Sequence, residues 1–258
     1  MVFVVVIILS KGKKYMNELP HIKVIDNNYF VVFANKQYSK EFLCRLCDKF
    51  LKQRMVILNF FHLSNYFKVR INLFDNINQL NLFSSKYIEI SPYHKGDCCG
   101  SMINYFCDDT ALKDNAQAGY IIASLAHEFV HMVYHDTIHG TNCVWLEEGL
   151  ATYLSEQKGF IERNFEMYKK FLKKLIYEKE IPKLKFLHKR GGKYGEFVDT
   201  ENNKYDGYNF SYALVRFLLE TKGKEYVNQI IYSKALLEKE EKTLINEFLI
   251  YAEDILKN

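Results

Sequence analysis

The chain has little of what usually divides a protein into modules or ties it to nucleic acid. Only three prolines occur in its 258 residues, and no repeat or low-complexity linker interrupts it. The net charge is only +4, and no basic cluster with interleaved aromatic residues is present. Lysines of the second half alternate with glutamates, as on solvated helix faces. We therefore expect one globular domain and no nucleic-acid partner.

A short apolar run opens the sequence. Val2–Leu9 is too short to cross a membrane as a helix. It also lacks the features of a signal peptide, because its lysines follow it and no small-residue cleavage site comes after it. The run can be a leading strand, a disordered tail or a result of start-codon choice, in which case Met16 would be the natural start. We treat residues 1–20 as a tail and expect no stable membrane insertion.

Six cysteines are present, and none of them forms an obvious zinc or disulfide framework. Cys44 and Cys47 form a CxxC pair within a helical pattern, but no second CxxC completes a four-ligand site. They are interpreted as half-buried thiols one helical turn apart. Cys98 and Cys99 would point to opposite faces of a strand and could not readily bridge each other. We expect reduced thiols and a cytoplasmic protein, with secretion left open.

The hydrophobic pattern predicts an α+β fold. Hydrophobic residues make up 48% of the chain and aromatic residues 16%, which favours a packed core over disorder. Residues 21–140 are expected to form an α/β lobe and residues 141–258 a helical lobe of one domain. The predicted elements are a hairpin over 21–35, strands over 68–73, 86–90 and 100–106, and helices over 38–63, 115–135, 145–158, 162–178, 208–221, 225–234 and 242–256.

The central motif is HEFVH, residues 127–131. Histidines at positions i and i+4 lie on one helix face, where His127 and His131 can bind the same metal ion. A zinc ion lowers the pKa of water, and Glu128, one residue from the first ligand, can accept the proton. The alternative is an amphipathic helix with a surface histidine pair. The apolar surroundings, SLAHEFVHMVY, favour a buried helix whose ionisable groups need partners.

The third ligand decides the subclass of the site. A third histidine in an HExxHxxGxxH pattern would need glycine at 134 and histidine at 137, where this chain has Tyr134 and Thr137. His135 and His139 continue the i+4 series but drift along the helix, so we expect them at the surface or supporting the ligands from outside. A carboxylate from the later helix VWLEEGLATY, residues 144–153, would complete a His₂Glu site with one open position.

The segment WLEEGLATY resembles the WLNEGFA segment of gluzincin zinc metallopeptidases, above all aminopeptidase-N-like enzymes. The resemblance implies that Glu148 is the third metal ligand and that Glu147 occupies the asparagine position. It also implies a thermolysin-like α+β catalytic domain in a minimal form, one Zn²⁺ per chain, and hydrolysis of peptide bonds in a peptide or protein substrate.

A second match lies upstream, in residues 100–104. Gly100, Ser101, Met102, Ile103 and Asn104 resemble the GxMEN motif of the same aminopeptidases, which forms an edge strand that pairs with substrate backbone. In that family the glutamate of the motif binds the free amino terminus, and Ile103 replaces it here. The replacement favours an endopeptidase.

A third match and two alternatives complete the expectations. Tyr208, in YNFSYAL, resembles the tyrosine of the YEKGxxLL segment, which donates a hydrogen bond to the tetrahedral intermediate; Tyr212 is the alternative. An aminopeptidase that uses another acid, such as Glu147, is the second function considered. A non-catalytic, zinc-stabilised peptide-binding module is the third, but it would not need Glu128, so we expect an enzyme.

Overall fold

The computed structural model describes residues 19–88, 90, 95–108, 115–138, 143–159, 162, 164–178, 181–188 and 206–258. Within these ranges, helices and one five-stranded mixed sheet form an α+β protein, as predicted. The chain divides into two compact units. Unit 1 contains the residues up to Lys52 and Asn65–Glu128, and unit 2 contains Gln53–Ser64 and Phe129–Asn258.

The elements follow one another along the chain with few long gaps. They are β1 (Ile22–Asp26), β2 (Phe30–Ala34), α1 (Lys40–Phe60), β3 (Val69–Phe74), α2 (Ile77–Ser84), β4 (Gly96–Cys99), β5 (Met102–Phe106), α3 (Asn115–Thr137), α4 (Val144–Leu154), α5 (Phe165–Tyr177), a 3₁₀ turn (Leu184–Leu187), α6 (Gly207–Thr221), α7 (Lys224–Tyr232) and α8 (Lys234–Lys257).

The sheet belongs to unit 1 and has the strand order β1-β2-β3-β5-β4. Strands β1 and β2 form the predicted antiparallel hairpin, β3 runs parallel to both β2 and β5, and β4 is antiparallel to β5. Helix α1 supplies the crossover that a parallel β2–β3 pair requires. Among the described strands, β1 and β4 are therefore the edges, and β5 has a hydrogen-bonded neighbour on each side.

Two expectations for unit 1 are wrong in detail. The predicted strand over 86–90 is a turn at 86–88, where the Tyr87 and Ile88 amides each donate to the Ser84 carbonyl at 3.0 Å; Glu89 lies outside the described residues. The strand predicted from Gly100 begins at Met102, because Gly100 turns the chain between β4 and β5 with a φ of 57°.

The sequence predicts a tail over residues 1–20, of which the structure describes the last two. Leu19 is buried in a hydrophobic cluster with Phe74, Leu80 and Phe83. The packed chain therefore includes Leu19, while residues 1–18 of the predicted tail lie outside the described residues.

A buried carboxylate holds edge strand β4 in place. Asp97 accepts hydrogen bonds from Ser84 Oγ and Tyr87 Oη, each at 2.5 Å, and from Asn104 Nδ2 at 2.8 Å. Asn104 Oδ1 in turn accepts from Asn72 Nδ2 at 2.8 Å. Because three donors satisfy the carboxylate, it can be buried without a large desolvation penalty. The network ties β4 to β5, to β3 and to the end of α2.

Unit 2 is helical, as predicted, and its core is rich in aromatic residues. Trp145, Phe210 and Phe248 are fully buried. The predicted helices are all present, although α8 begins at Lys234 rather than at residue 242. Gly223 ends α6 with a φ of 83°, the left-handed conformation expected of a glycine after a helix.

Unit 1 ends at Glu128, within α3, whereas the sequence suggested a division after residue 140. The last turns of α3 carry buried Phe129, whose ring lies 5.6 Å from the guanidinium of Arg54 in the same unit. Their apolar side chains therefore belong to the core of unit 2. No helix in the described ranges is both long and apolar enough to cross a membrane.

Candidate metal site

Helices α3 and α4 bring two imidazoles and a carboxylate together. His127 and His131 lie one turn apart on α3, with exposed fractions of 9% and 4%. Glu148, on α4, is 2% exposed. One ligand atom from each of the three residues lies within 4.8 Å of the others. These are the residues that the sequence predicts as metal ligands.

A glycine allows the helix that carries Glu148 to pack closely against α6. A Cβ built on Gly149 would lie 2.3 Å from the Ser211 carbonyl oxygen of α6, which no side chain tolerates. The missing side chain therefore lets α4 and α6 approach each other closely. Nine of the eleven residues of α4 are buried, so this contact and the surrounding core hold Glu148 in a defined position.

Glu147 orients His131 from outside the ligand set. Its Oε1 lies 2.5 Å from His131 Nδ1 and 3.0 Å from His135 Nε2. The other ring nitrogen, His131 Nε2, lies 3.6 Å from Glu148 Oε2. A carboxylate that accepts from Nδ1 fixes the tautomer in which Nε2 can bind a metal. His135 thus supports the site from outside, as expected, and His139 lies outside the described residues.

His131, His135 and Glu147 also lie within metal-ligand distance of one another. His131 belongs to both groups, and its two nitrogens separate them. The Glu147 oxygen is at hydrogen-bond distance from both imidazoles. Because Glu147 occupies Nδ1 of His131 and the other ring nitrogen, Nε2, lies toward Glu148, we treat Glu147 as the orienting carboxylate and Glu148 as the candidate ligand.

The two carboxylates hold a proton on His131 in the metal-free protein. Burial alone would lower the pKa of His131, but the charges of Glu148 and Glu147 outweigh it and raise this pKa to about 10. Burial opposes ionisation of Glu147, yet His131 and His135 lower its pKa to about 2. A divalent cation at Nε2 would take the place of the proton, because metal ligands must be deprotonated.

Glu128 has the exposure that a general base needs. It follows His127 directly and is half-buried rather than enclosed. Three effects act on the pKa of Tyr105 on β5. Burial raises this pKa most, a hydrogen bond with Ser124 lowers it, and the negative charge of Glu128 raises it further. The Glu128 carboxylate therefore lies close enough to Tyr105 for their charges to interact, and it belongs to none of the metal-ligand groups found among the described residues.

Residues 100–104, predicted to form an edge strand that binds substrate, do not form an edge of the described sheet. Gly100 and Ser101 lie in a turn, and Met102 begins a strand that is paired on both sides. Ile103 and Asn104 are fully buried, and the Asn104 amide is engaged with Asp97 and Asn72. The edge strand next to β5 is β4, and its sequence GDCC does not resemble the GxMEN motif.

The two tyrosines considered for the oxyanion differ in their surroundings. Tyr212 is buried, and its hydroxyl lies 3.2 Å from Arg216 Nη1, which donates to it. Burial, followed by Glu162, raises the pKa of Tyr212. Tyr208 is 40% exposed in the first turn of α6, one turn before Ser211, the residue that meets Gly149. Tyr208 is therefore the one of the two whose side chain is open to solvent.

The donor set suits a divalent transition metal. Two neutral imidazoles and a carboxylate are typical ligands of zinc, and three protein ligands leave a position for water or substrate. The sequence missed the role of Glu147, since only the folded chain shows which ring nitrogen it meets.

No protein-family model matches this chain, and no curated protein sequence matches it.

Proposed function

We propose that this protein is a zinc-dependent peptidase of the gluzincin type, with a minimal thermolysin-like catalytic domain. The observation that carries the proposal is the cluster of His127, His131 and Glu148 beside a half-buried Glu128. A buried group of three ligands could serve structure alone. A carboxylate next to it that is not itself a ligand is what hydrolysis requires in addition.

Each residue has a distinct task in the proposed reaction. When zinc is bound, it acidifies water and polarises the scissile carbonyl. Glu128 accepts the proton of the attacking water and later delivers it to the leaving nitrogen. Tyr208 donates a hydrogen bond to the developing oxyanion. Glu147 keeps His131 in the tautomer that leaves Nε2 available.

Because β5 is paired on both sides, an extended peptide could add to the described sheet only at an edge, which is β1 or β4. Edge strands present unpaired amide and carbonyl groups that an extended peptide can bind. Asp97 and its three donors make β4 a rigid edge, which lowers the entropic penalty of ordering a substrate against it.

Neither residue considered for binding a free amino terminus is available for it. Ile103 is fully buried between β3 and β4, and Glu147 is committed to two imidazoles. The proposal is therefore an endopeptidase, which needs no charged anchor for a terminal ammonium group. Acetylated and free-amine versions of one cleaved peptide should be hydrolysed at similar rates, as measured by mass spectrometry.

The decisive variant is Glu128→Gln. It should retain one zinc at this site and lose at least about a hundredfold in hydrolysis of a fluorogenic peptide library, since general-base catalysis contributes roughly 10²–10⁴-fold. Glu166→Gln makes the same chemical change at an exposed position of α5 and should leave the rate unchanged. Metal content and the circular dichroism spectrum of each variant provide the controls.

Two results would count against the enzyme. A Glu128→Gln variant as active as the wild type would exclude Glu128 as the base. A zinc-loaded wild type that cleaves no library peptide, yet binds peptides as tightly as the variant, would identify a zinc-stabilised binding module instead.

A further inference from the structure

A second cluster of metal-ligating side chains lies in unit 2. Cys143 precedes α4, His188 follows the 3₁₀ turn, and Glu241 lies on α8. One ligand atom from each of the three lies within 4.8 Å of the others. Three separate segments of the chain thus bring a thiol, an imidazole and a carboxylate to one point.

The cluster is centred on one carboxylate oxygen. Glu241 Oε1 lies 2.6 Å from His188 Nε2, 2.8 Å from Trp145 Nε1 and 3.8 Å from Cys143 Sγ. The indole can only donate, so it satisfies one lone pair of Oε1 and orients the carboxylate. A supporting donor of this kind is what metal-ligating carboxylates commonly have.

We propose that Cys143, His188 and Glu241 form a second metal site, which takes a zinc ion and joins the start of α4 to α8 and to the 3₁₀ turn. The ligand chemistry selects the metal class. Thiolate and imidazole are ligands of zinc and of other soft or borderline metals, whereas calcium and magnesium take oxygen ligands.

The geometry needs only a small adjustment. Zinc lies about 2.3 Å from sulfur and about 2.0 Å from nitrogen or oxygen, so tetrahedral ligand atoms are roughly 3.3–3.7 Å apart. The Cys143 Sγ to Glu241 Oε1 distance of 3.8 Å lies just above this range. The His188 to Glu241 distance of 2.6 Å is a hydrogen bond, which would open as the metal enters.

Proton accounting is simple at this site. Cys143 gives up its thiol proton to solvent, and His188 exchanges through solvent from the Nε2–H form that donates to Glu241 to the Nδ1–H form, so that Nε2 and Sγ can bind the ion. Cys143 is 2% exposed, while the His188 side chain is 40% exposed. The ion can therefore reach the site from the solvent-exposed side of His188 and bind the buried thiolate of Cys143.

Cobalt distinguishes this site from the one on α3. A sulfur-to-cobalt charge-transfer band appears only if a thiolate is a ligand, and the His127, His131 and Glu148 site contains no cysteine. Reduced, metal-free, full-length protein titrated with Co²⁺ should bind two equivalents and develop this band with one of them. Cys143→Ser should remove the band and one equivalent, while His131→Ala should remove the other equivalent and keep the band.

Two of the other thiols and the single tryptophan serve as controls. Cys44→Ser combined with Cys47→Ser should keep the band, because these residues lie on α1. Zn²⁺ should shift the fluorescence of Trp145, the only tryptophan in the chain, and this shift should persist in His131→Ala and disappear in Glu241→Gln.

The proposal is overturned if the wild type shows no charge-transfer band, or if the band survives in Cys143→Ser. The first outcome is decisive even if the variants fail to fold. Because the test measures metal binding and no hydrolysis, its failure would leave the peptidase proposal untouched. In that case Glu241 serves only as a hydrogen-bond acceptor between α8, Trp145 and His188.

Discussion

Replacing Glu147 tests whether a carboxylate that does not touch the metal controls metal affinity. The resemblance assigns Glu147 only to the asparagine position of the motif. In the structure, its Oε1 lies 2.5 Å from His131 Nδ1 and 3.0 Å from His135 Nε2. We now expect Glu147→Gln and Glu147→Ala to weaken zinc binding in that order.

The size of each loss follows from what remains at Nδ1. Glutamine retains an oxygen acceptor but loses the charge, and charge-assisted hydrogen bonds are about twice as strong as neutral ones. We expect roughly a tenfold loss for Glu147→Gln, the lower end for residues that orient metal ligands. Alanine also leaves the buried Nδ1–H without an acceptor, at about 1–3 kcal/mol, so the loss should approach a hundredfold.

Competition with a chromogenic chelator at fixed pH measures these affinities. Glu148→Gln removes a ligand and should lose more than either Glu147 variant, whereas exposed Glu166→Gln should lose nothing. His135→Ala should weaken binding in the wild type but not in Glu147→Ala, because the hydrogen bond of His135 goes to Glu147. Wild-type affinity in Glu147→Ala, with a large loss in Glu148→Gln, would refute the orienting role.

Two further predictions follow from the pKa of His131 and from the position of Ile103. The folded-state pKa of His131, about 10, lies above its ordinary 6.5, so its stabilising effect is complete below pH 6.5 and is lost as the pH rises through 10. The melting temperature of the metal-free protein should accordingly fall as the pH rises. Zinc binding near neutral pH should also release a proton, which calorimetry detects as a binding heat that depends on the ionisation enthalpy of the buffer. A binding heat that is the same in all buffers would contradict this proton release. Ile103→Glu should lower the free energy of unfolding in urea by about 3–5 kcal/mol, because it buries an unpaired carboxylate. The control Ile250→Glu, at a position that is 67% exposed, should change this free energy little. Equal effects of the two substitutions would contradict the central position of β5.

Local patterns predicted most of the elements but could not predict their neighbours. The alternating apolar residues around Asp26 indicate a hairpin because both strands are adjacent in sequence. The position of β5 between β3 and β4 depends on pairing with Val69–Phe74, about thirty residues earlier, and no local signal reports it. The resemblance likewise implied an edge strand at residues 100–104, whereas the edge on that side of the described sheet is Gly96–Cys99.

The candidate metal site was predictable for a related reason. His127, Glu128 and His131 lie within one and a half turns of a single helix, so their spacing alone places them together. Glu148 required a resemblance, because it comes from a second helix. The cluster of Cys143, His188 and Glu241 spans about a hundred residues and has no recognisable spacing, and only the fold brings it together.

Helix α4 explains why both clusters matter for the same part of the molecule. It is buried along almost its whole length, yet it contains two adjacent carboxylates, Glu147 and Glu148. Buried carboxylates are tolerated only when donors or cations meet them. The imidazoles of His131 and His135 meet Glu147, and a metal shared with His131 would meet Glu148. A metal ion bound by Cys143, directly before α4, would fix the first turn of this helix. Glu147 and Glu148 lie one turn after Cys143, so the ion would also help to keep both carboxylates at the position where they face the histidines of α3.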